Sequence, residues 1–222
     1  MLVVKKFGGS SVADRERIFN VARRCIEDYN KGNDVVVVLS AMGKTTDGLI
    51  AKAHEITESP SRRELDMLLA TGEQVSVALM AMAIQSLGVQ AISLNAAQVP
   101  MKTTSAYGQA KLKRIDTERI QNELDARKIV IITGFQGVNK FDDMTTLGRG
   151  GSDTTAVALA AALHAARSIR MWMEFTRRIR GLCPMRESSP RSPMTRCWNL
   201  RLWEPRFCTT VLWKWQSGTE CS

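Results

Sequence analysis

Short apolar runs alternate with amphipathic stretches along the first three quarters of the chain. An apolar run over residues 2–5 leads into a Gly-Gly-Ser-Ser turn, after which apolar residues recur at helical spacing as far as Gly32. This order predicts a strand, a glycine loop and a helix. The β-branched run VVVVL within residues 34–40 predicts a second strand, of the kind that is buried on both faces.

The same alternation continues to about residue 165. The pattern predicts helices over 64–87 and 116–128, strands over 89–94 and 129–132, and a last helix over TAVALAAALHAA. Strands that alternate with helices indicate an α/β fold with a mainly parallel, doubly wound sheet. Such sheets bind ligands at the carboxyl ends of their strands, where the glycine-rich segments of this chain lie.

Composition narrows the class of protein. The 222 residues are 44% hydrophobic and 24% charged, as in ordinary globular domains. We find no apolar run near the ~18 residues of a membrane span and no secretory signal, so a cytoplasmic protein is expected. His54 and His164 are the only histidines, and Cys25 is the only cysteine before residue 166, so no metal site is predicted.

The formal charge of +9 is concentrated in the last quarter of the chain. Residues 166–222 hold 11 of the 31 Lys and Arg but 4 of the 22 Asp and Glu, together with all 5 Trp. This Arg/Trp/Cys-rich segment has no periodicity. It is therefore interpreted separately from residues 1–165.

The loop after the first strand offers a phosphate site. Lys6 would supply a positive charge, and the N–H groups of Gly8, Gly9 and Ser10 and of the following helix could receive phosphate oxygens. The spacing is neither that of a P-loop nor GxGxxG. A plain glycine turn is an equal alternative on these residues alone.

A second loop, SAMGKTTD, follows the second strand and could hold a small anion through its hydroxyl and N–H groups. Ser40 and Thr46 are its candidate binding residues. The structural alternative is that Thr46 or Asp47 caps the next helix. Both interpretations can hold together.

The third loop, GRGGSD, is the most specific of the three. Arg149 offers a planar fork for carboxylate or phosphate, its glycines, including Gly150, permit close approach of a ligand, and Asp153 opens a helix. Three glycines beside an arginine favour function over structure here.

Thr71-Gly72-Glu73 interrupts a helical region and places a carboxylate where a substrate ammonium could bind. The residues alone favour a structural interpretation, in which a helix starts here and Glu73 lies in its first turn.

These segments together resemble a known family. VKKFGGSSV, VVVVLSAMGKTTD, LLATGEQVSVALM, GFQGV and TTLGRGGSDTTAVALAAAL, in this order, are similar to the catalytic domain of the aspartate kinases, a branch of the amino acid kinase family. The resemblance covers residues 2–165. It implies a three-layer α/β/α sandwich, here incomplete, that phosphorylates L-aspartate with ATP and Mg²⁺ to give 4-phospho-L-aspartate, the first step toward lysine, threonine and methionine.

The resemblance also implies roles for individual residues. Lys6 and Asp153 would be catalytic. The ATP phosphates would lie at Lys6, Phe7, Gly8, Gly9 and Ser10. L-Aspartate would lie at Ser40, Thr46, Glu73, Arg149, Gly150 and Ser152.

The resemblance further implies a cytoplasmic homodimer with no nucleic-acid or membrane partner. Kinases of the same family that act on glutamate, acetylglutamate, carbamate or uridylate are the alternatives. The combination of KFGGSS with SAMGKTTD and ATGEQVS disfavours them.

The last quarter departs from the family, which should continue with a TDVDGVYTADPR-like segment and regulatory ACT domains. A second reading frame of the gene can be tested from the protein sequence. Each codon of that frame consists of the third base of one codon and the first two bases of the next. Met171-Trp172-Met173-Glu174 then forces Val-Asp-Gly, and further forced positions from Met194-Thr195 to Trp215-Gln216 also fit the expected continuation. We infer a frameshift near residues 165–168.

Residues 166–222 are accordingly expected to be an out-of-frame, disordered segment, and the regulatory ACT domains to be absent. The chain as written is expected to bind ATP poorly and to be inactive. A nucleic-acid-binding extension is the alternative, because cations neutralise phosphates and aromatic rings stack on bases. The forced codons disfavour it.

Overall fold

A six-stranded sheet forms the middle of the structure, a computed structural model that describes residues 1–164, 169–173 and 196–198. Its strand order is β10-β9-β1-β2-β6-β3, and every neighbouring pair is parallel except β10 with β9. The mainly parallel sheet predicted from the sequence is confirmed. The strands are β1 (Leu2–Phe7), β2 (Asp34–Leu39), β3 (Ala91–Leu94), β6 (Ile129–Thr133), β9 (Ile169–Met173) and β10 (Arg196–Trp198).

Helices cover both faces of this sheet, which gives the three layers that the resemblance implies. Helices α1 (Arg15–Asn30) and α3 (Arg62–Ser86) pack on one face. Helices α4 (Glu118–Asp125) and α5 (Gly151–His164) pack on the other. Helix α2 (Thr45–Ile56) lies against α3 and buries no side chain completely.

The central strands explain why the sequence contains unbroken apolar runs. Alternate side chains of a strand point to opposite faces, so Val36 and Val38 enter the core beneath α4 and α5 while Val35 and Val37 enter the core beneath α1 and α3. All four are fully buried. A strand covered on both faces must be apolar at every position.

A second, four-stranded sheet was not predicted from the sequence. Its order is β5-β4-β7-β8, with one parallel pair, β4 with β7. Strands of three or four residues with polar side chains carry too little periodicity to be recognised in a sequence. The strands are β4 (Met101–Thr103), β5 (Leu112–Ile115), β7 (Gln136–Val138) and β8 (Met144–Thr146).

Helix α3 runs without a break through Thr71-Gly72-Glu73, so the predicted interruption and the helix start at Glu73 are wrong. The helix instead starts after Ser61, whose hydroxyl accepts a hydrogen bond from the Glu64 N–H. Gly72 serves packing rather than a turn, because a Cβ there would lie 3.0 Å from the Ala41 Cβ and 3.6 Å from the Leu49 side chain.

Helix α3 is also the one described helix long and apolar enough, by length and composition, to cross a membrane. Polar residues interrupt the apolar run of this helix, so the sequence alone does not predict a membrane span there. Asp66, Glu73 and Ser76 are buried on this helix among apolar neighbours. A helix that buries polar groups against a sheet has the pattern of a core helix.

Two short strands fall within the segment expected to be disordered. β9 pairs with β1 in parallel, and β10 pairs with β9 in antiparallel fashion. A strand at the edge of a sheet offers unpaired N–H and C=O groups to any extended segment, and β9 lies against β1 in this way. The remainder of residues 166–222, to which the disorder prediction applies, lies outside the described residues.

Two helical glycines allow a matched test of the packing of α3. We expect Gly48→Ala in α2 to raise the free energy of unfolding, because alanine favours helix by about 1 kcal/mol and a Cβ there meets nothing within 4 Å. Gly72→Ala should be at least about 1 kcal/mol less stable than Gly48→Ala, since its Cβ meets the buried Ala41. Urea unfolding measures both, and equal gains would contradict the packing role of Gly72.

Candidate functional site

Three loops meet at the carboxyl ends of β1, β2 and β6. The N–H of Gly43 donates to the carbonyl of Gly9 over 3.0 Å, and the N–H of Gly134 donates to the carbonyl of Leu39 over 2.9 Å. Gly9 must be glycine, because a Cβ there would lie 2.3 Å from the Ala41 carbonyl oxygen. The predicted first and second loops are therefore in direct contact.

An ion pair joins the first loop to the GRGGSD loop, which leads into α5. The Nζ of Lys6, near the end of β1, lies 2.8 Å from Oδ1 of Asp153 in the first turn of α5. The Lys6 side chain is one-tenth exposed and that of Asp153 about one quarter exposed. An ideal Cβ on Gly8 would lie 3.8 Å from the Lys6 Nζ, so the ammonium also faces the glycine loop.

The first loop differs from its prediction in two respects. Its glycines enter a short 3-10 turn, Gly9–Val12, and α1 begins only after Asp14, whose carboxylate accepts from the Arg17 N–H over 2.9 Å. The start of α1 is thus capped by Asp14 of its own chain. The Phe7 side chain is fully buried in the core, so Phe7 can offer only backbone atoms to a ligand.

Ser10 and Ser40 frame this region from two sides. Ser10 is exposed, and its carbonyl accepts from the Arg17 guanidinium over 2.6 Å. Ser40 directly follows β2, is half-buried, and donates its N–H to the Phe7 carbonyl over 3.3 Å. Ser10 therefore lies in the loop after β1, and Ser40 begins the loop after β2.

Thr46 lies in the first turn of α2 and is half-buried. The expectation that Thr46 or Asp47 caps this helix is wrong. Helix α2 begins at Thr45, and the residue before it, Lys44, makes no side-chain cap bond. The Thr46 hydroxyl is therefore not engaged as a helix cap.

Glu73 is a buried carboxylate at this edge of the sheet, with 3% of its surface exposed. Its Oε1 accepts from the Ala41 N–H over 3.1 Å, which ties α3 to the second loop. Its Oε2 has no hydrogen-bond partner among the described residues. Burial raises the pKa of Glu73 to about 7, although the Ala41 hydrogen bond acts in the opposite direction.

Sequence reasoning missed two further buried polar groups, which lie at the end of β6 and at the start of β7. Thr133 ends β6 and pairs in register with Leu39, and its hydroxyl has no partner among the described residues. The Gln136 amide donates to the carbonyl of Ala70 on α3 over 3.1 Å, while its Oε1 is likewise unpartnered. A polar residue at the end of the apolar run IVII was the available signal.

The third loop presents Arg149 to solvent. Arg149 is exposed and makes no ion pair with any residue that the structure describes. Gly148 and Gly150, on either side, both have a φ of 76°. Ser152 is buried against Gly134, where a Cβ would lie 2.6 Å from its hydroxyl oxygen. Only a glycine at 134 lets β6 and α5 approach so closely.

The described residues contain no cluster of three His, Cys, Asp or Glu side chains that could hold a metal. The described contacts join Lys6 to Asp153, Gly43 to Gly9 and Ala41 to Glu73, and Arg149 is exposed four residues before Asp153.

A model of the Amino acid kinase family matches residues 1–172. The chain belongs to the amino acid kinase family. The match extends seven residues beyond the boundary at 165 predicted from the sequence and includes most of β9.

Similar proteins from this family are aspartokinases. The chain is 57% identical over 166 residues to the aspartokinase of Geobacillus stearothermophilus, covering 75% of this chain and 41% of that protein. It is 53% identical over 164 residues to aspartokinase 2 of Bacillus subtilis, covering 74% of this chain and 40% of that protein. The chain therefore spans about two fifths of the length of these curated relatives.

Solved structures of aspartate kinases share the amino acid kinase fold of this chain. The aspartate kinase of Synechocystis superposes with a TM-score of 0.65 at 48% identity, covering 74% of this chain and 26% of that one. E. coli aspartokinase III in complex with aspartate and ADP gives a TM-score of 0.68 at 28% identity, covering 78% and 49%.

The raised pKa of Glu73 predicts a pH-dependent stability. The folded protein holds the Glu73 proton more tightly than the unfolded chain, so the stabilisation is present below pH 4.5 and is lost as pH rises through about 7. Relative to Glu73→Gln, the wild-type chain should lose up to about 3 kcal/mol of unfolding free energy between pH 4.5 and 8. Urea unfolding at several pH values measures this difference.

Glu123→Gln provides the control for this measurement. Lys128 and Arg119 hold the pKa of Glu123 below its usual value, so Glu123 stays ionised from pH 5 to 8. Its difference from wild type should be constant over that range. A constant difference for Glu73→Gln as well would contradict the burial of a proton-binding carboxylate.

Proposed function

We propose that this domain binds L-aspartate and the phosphates of ATP at the carboxyl edge of the large sheet, as the N-terminal part of an aspartate kinase. The observation that carries the proposal is the unpartnered, buried Oε2 of Glu73. A buried carboxylate oxygen without a donor is costly, and the ammonium group of an amino acid would satisfy it. Relatives that share more than half of the matched residues are named aspartokinases.

Arg149 supplies the complementary charge in this proposal. Arg149 is exposed, lies four residues before Asp153, and makes no ion pair with a described residue. A guanidinium binds carboxylate through two parallel hydrogen bonds. Glu73 and Arg149 would therefore hold the two charged groups of the amino acid backbone, with Ser40, Thr46, Gly150 and Ser152 around them.

Lys6 and the glycine loop fit the phosphates of ATP. The Lys6 ammonium faces Gly8 and is aligned by Asp153, which is within 2.8 Å. Phosphoryl transfer requires mainly positioning and neutralisation of charge. Lys6 would neutralise phosphate oxygens, and Asp153 would keep its ammonium in place until the nucleotide binds.

Mg²⁺ would enter with the nucleotide, because it is usually held by phosphates, water and one or two carboxylates rather than by a protein cage. Asp153 lies beside Lys6 and the glycine loop, and its carboxylate is the candidate ligand for the Mg²⁺ ion. The ion would neutralise charge on the phosphates when bound.

The chemistry needs little help from a base. The β-carboxylate of L-aspartate is ionised at pH 7, so one of its oxygens can attack the γ-phosphorus directly. A bond forms between that oxygen and phosphorus while the bond from phosphorus to the bridging oxygen breaks. The electron pair leaves with ADP, and 4-phospho-L-aspartate is released. No proton has to be removed from the nucleophile.

We further propose that the chain as written is inactive because an out-of-frame segment begins near residues 165–168. The alignments with the curated relatives are 164–166 residues long, which agrees with a break in that region. We also propose that the intact enzyme is a cytoplasmic homodimer. It would have no nucleic-acid or membrane partner.

Two substitutions should separate the amino acid site from the phosphate site. We expect Arg149→Ala to weaken L-aspartate binding by about tenfold or more, since a charged hydrogen-bonded pair contributes about 1.5–3 kcal/mol. Lys6→Ala should leave L-aspartate affinity nearly unchanged and abolish binding of inorganic tripolyphosphate. Calorimetric titration of the 222-residue chain measures both ligands.

Arg149→Lys serves as the matched control, because it keeps the charge and loses the planar fork. It should bind L-aspartate with an affinity between those of wild type and Arg149→Ala. Equal loss of L-aspartate binding in Lys6→Ala would show the division of roles to be wrong. L-Glutamate, carbamate and uridylate, tested in the same titration, decide between this proposal and other family members.

Binding of L-aspartate should also release or retain a proton according to pH. An ammonium ligand favours ionised Glu73, so affinity should rise as pH increases through about 7, and binding at pH 6.5 should release a proton. Titrations in two buffers of different ionisation enthalpy measure the released proton. Glu73→Gln should release none, and proton release that persists in this variant would contradict the assignment.

Turnover tests the inference of a shifted frame. We expect the 222-residue chain to show no aspartate-dependent ATP turnover, whereas the product of the same gene with one base restored near codons 165–168 should be active. Normal turnover by the 222-residue chain would overturn the inference.

A further inference from the structure

We propose that Asp66, a residue outside the predicted site, is a positioning residue that fixes the loop carrying Arg149. The inference rests on the proposed function for its ligand, L-aspartate. Asp66 lies in the second turn of α3 and is 1% exposed. It has no role in the chemistry described above.

The carboxylate of Asp66 binds two separate segments at once. Its Oδ2 accepts from the N–H groups of both Gly108 and Thr146, each over 2.9 Å. Its Oδ1 accepts from the Thr146 hydroxyl over 2.7 Å. Three good donors on one buried carboxylate make a strong and directional anchor.

Thr146 is the anchor point of the Arg149 loop. It ends β8, and its carbonyl accepts from the Ala110 N–H over 2.9 Å, so each of its polar groups is bonded. The loop that follows contains glycines with positive φ on both sides of Arg149. Glycine gives a chain many accessible conformations, so the position of such a loop depends on its anchors.

Gly108 brings a second segment against the same loop. A Cβ on Gly148 would lie 3.4 Å from the Gly108 carbonyl oxygen, so the two segments are in near contact. Because Asp66 binds the Gly108 N–H, it holds this neighbour in place as well. Asp66 therefore holds both the segment that begins the Arg149 loop and the segment packed against it.

The placement of Asp66 on α3 links it to the rest of the site. Asp66, Ala70 and Glu73 follow at spacings of four and three residues, which places them on one face of the helix. Ala70 accepts from the Gln136 amide, and Glu73 accepts from the Ala41 N–H. One helix face therefore contacts the loop after β2, the start of β7, and the segments at Gly108 and Thr146, and Asp66 acts on Arg149 through Thr146.

The test compares Asp66→Ala with Asp66→Asn in the 222-residue chain. Asparagine can still accept both N–H groups with its oxygen and donate to the Thr146 hydroxyl, whereas alanine removes all three bonds. We expect Asp66→Ala to lose hydrogen-exchange protection at the Gly108 and Thr146 amides and to weaken L-aspartate binding about tenfold or more. Asp66→Asn should retain protection and bind within about threefold of wild type.

Glu123→Ala is the matched control, because Glu123 is also a buried carboxylate but is bonded to Arg119 on α4 and to Lys128, which follows α4. It should lower stability without changing L-aspartate affinity. Thr146→Val, which removes only the hydroxyl bond, should give an intermediate affinity and keeps the test decisive if Asp66→Ala does not fold.

The outcomes are separable. Unchanged exchange at both amides and unchanged affinity in Asp66→Ala would overturn the positioning role, as would an equal loss of L-aspartate affinity in Glu123→Ala. A wild-type chain that binds no L-aspartate would contradict the proposed function, and the anchor would then be decided by exchange alone.

Discussion

Helices cover strands β2 and β6 on both faces, so the positions between the ends of these strands must be apolar. Polar residues become possible only where the cover stops, and Ser40 and Thr133 stand at those points. Because the strands are parallel, their carboxyl ends lie at the same edge of the sheet. The location of the candidate site is thus a consequence of how the core is filled.

Helix α3 packs against the loop after β2 and fixes its position. Gly72 allows the helix to lie against Ala41, and the same close approach brings Glu73 within hydrogen-bond distance of the Ala41 N–H. Burial that is needed for packing also removes the carboxylate from water, which raises the pKa of Glu73 to about 7. Packing and electrostatics at this point have a single cause.

The strands and helices with strong periodicity could be predicted from the sequence, and so could the edge of the sheet at which Lys6 and Asp153 meet. The second sheet could not, because its strands are short and polar and are held by contacts distant in sequence. Gly72 misled the prediction, since a glycine within a helical pattern usually indicates a break, and only the neighbouring Ala41 explains it.

Asp66 could not be identified either, since a charged residue in an amphipathic stretch resembles a solvent-facing one. Its donors, at Gly108 and Thr146, come from segments that sequence analysis cannot place beside it. Thr133 carries a local signal, a polar residue at the end of an apolar run, whereas Gln136 carries none, and their unpartnered atoms are evident only in three dimensions.

The ion pair between Lys6 and Asp153 joins residues near the two ends of the fully described region. Contacts between residues so distant in sequence form late, because a long loop must close first. During synthesis the first strand leaves the ribosome well before α5 exists. The ion pair between Lys6 and Asp153 therefore cannot form until almost the whole domain has been translated. Any event that alters translation just after α5 acts before this contact has formed.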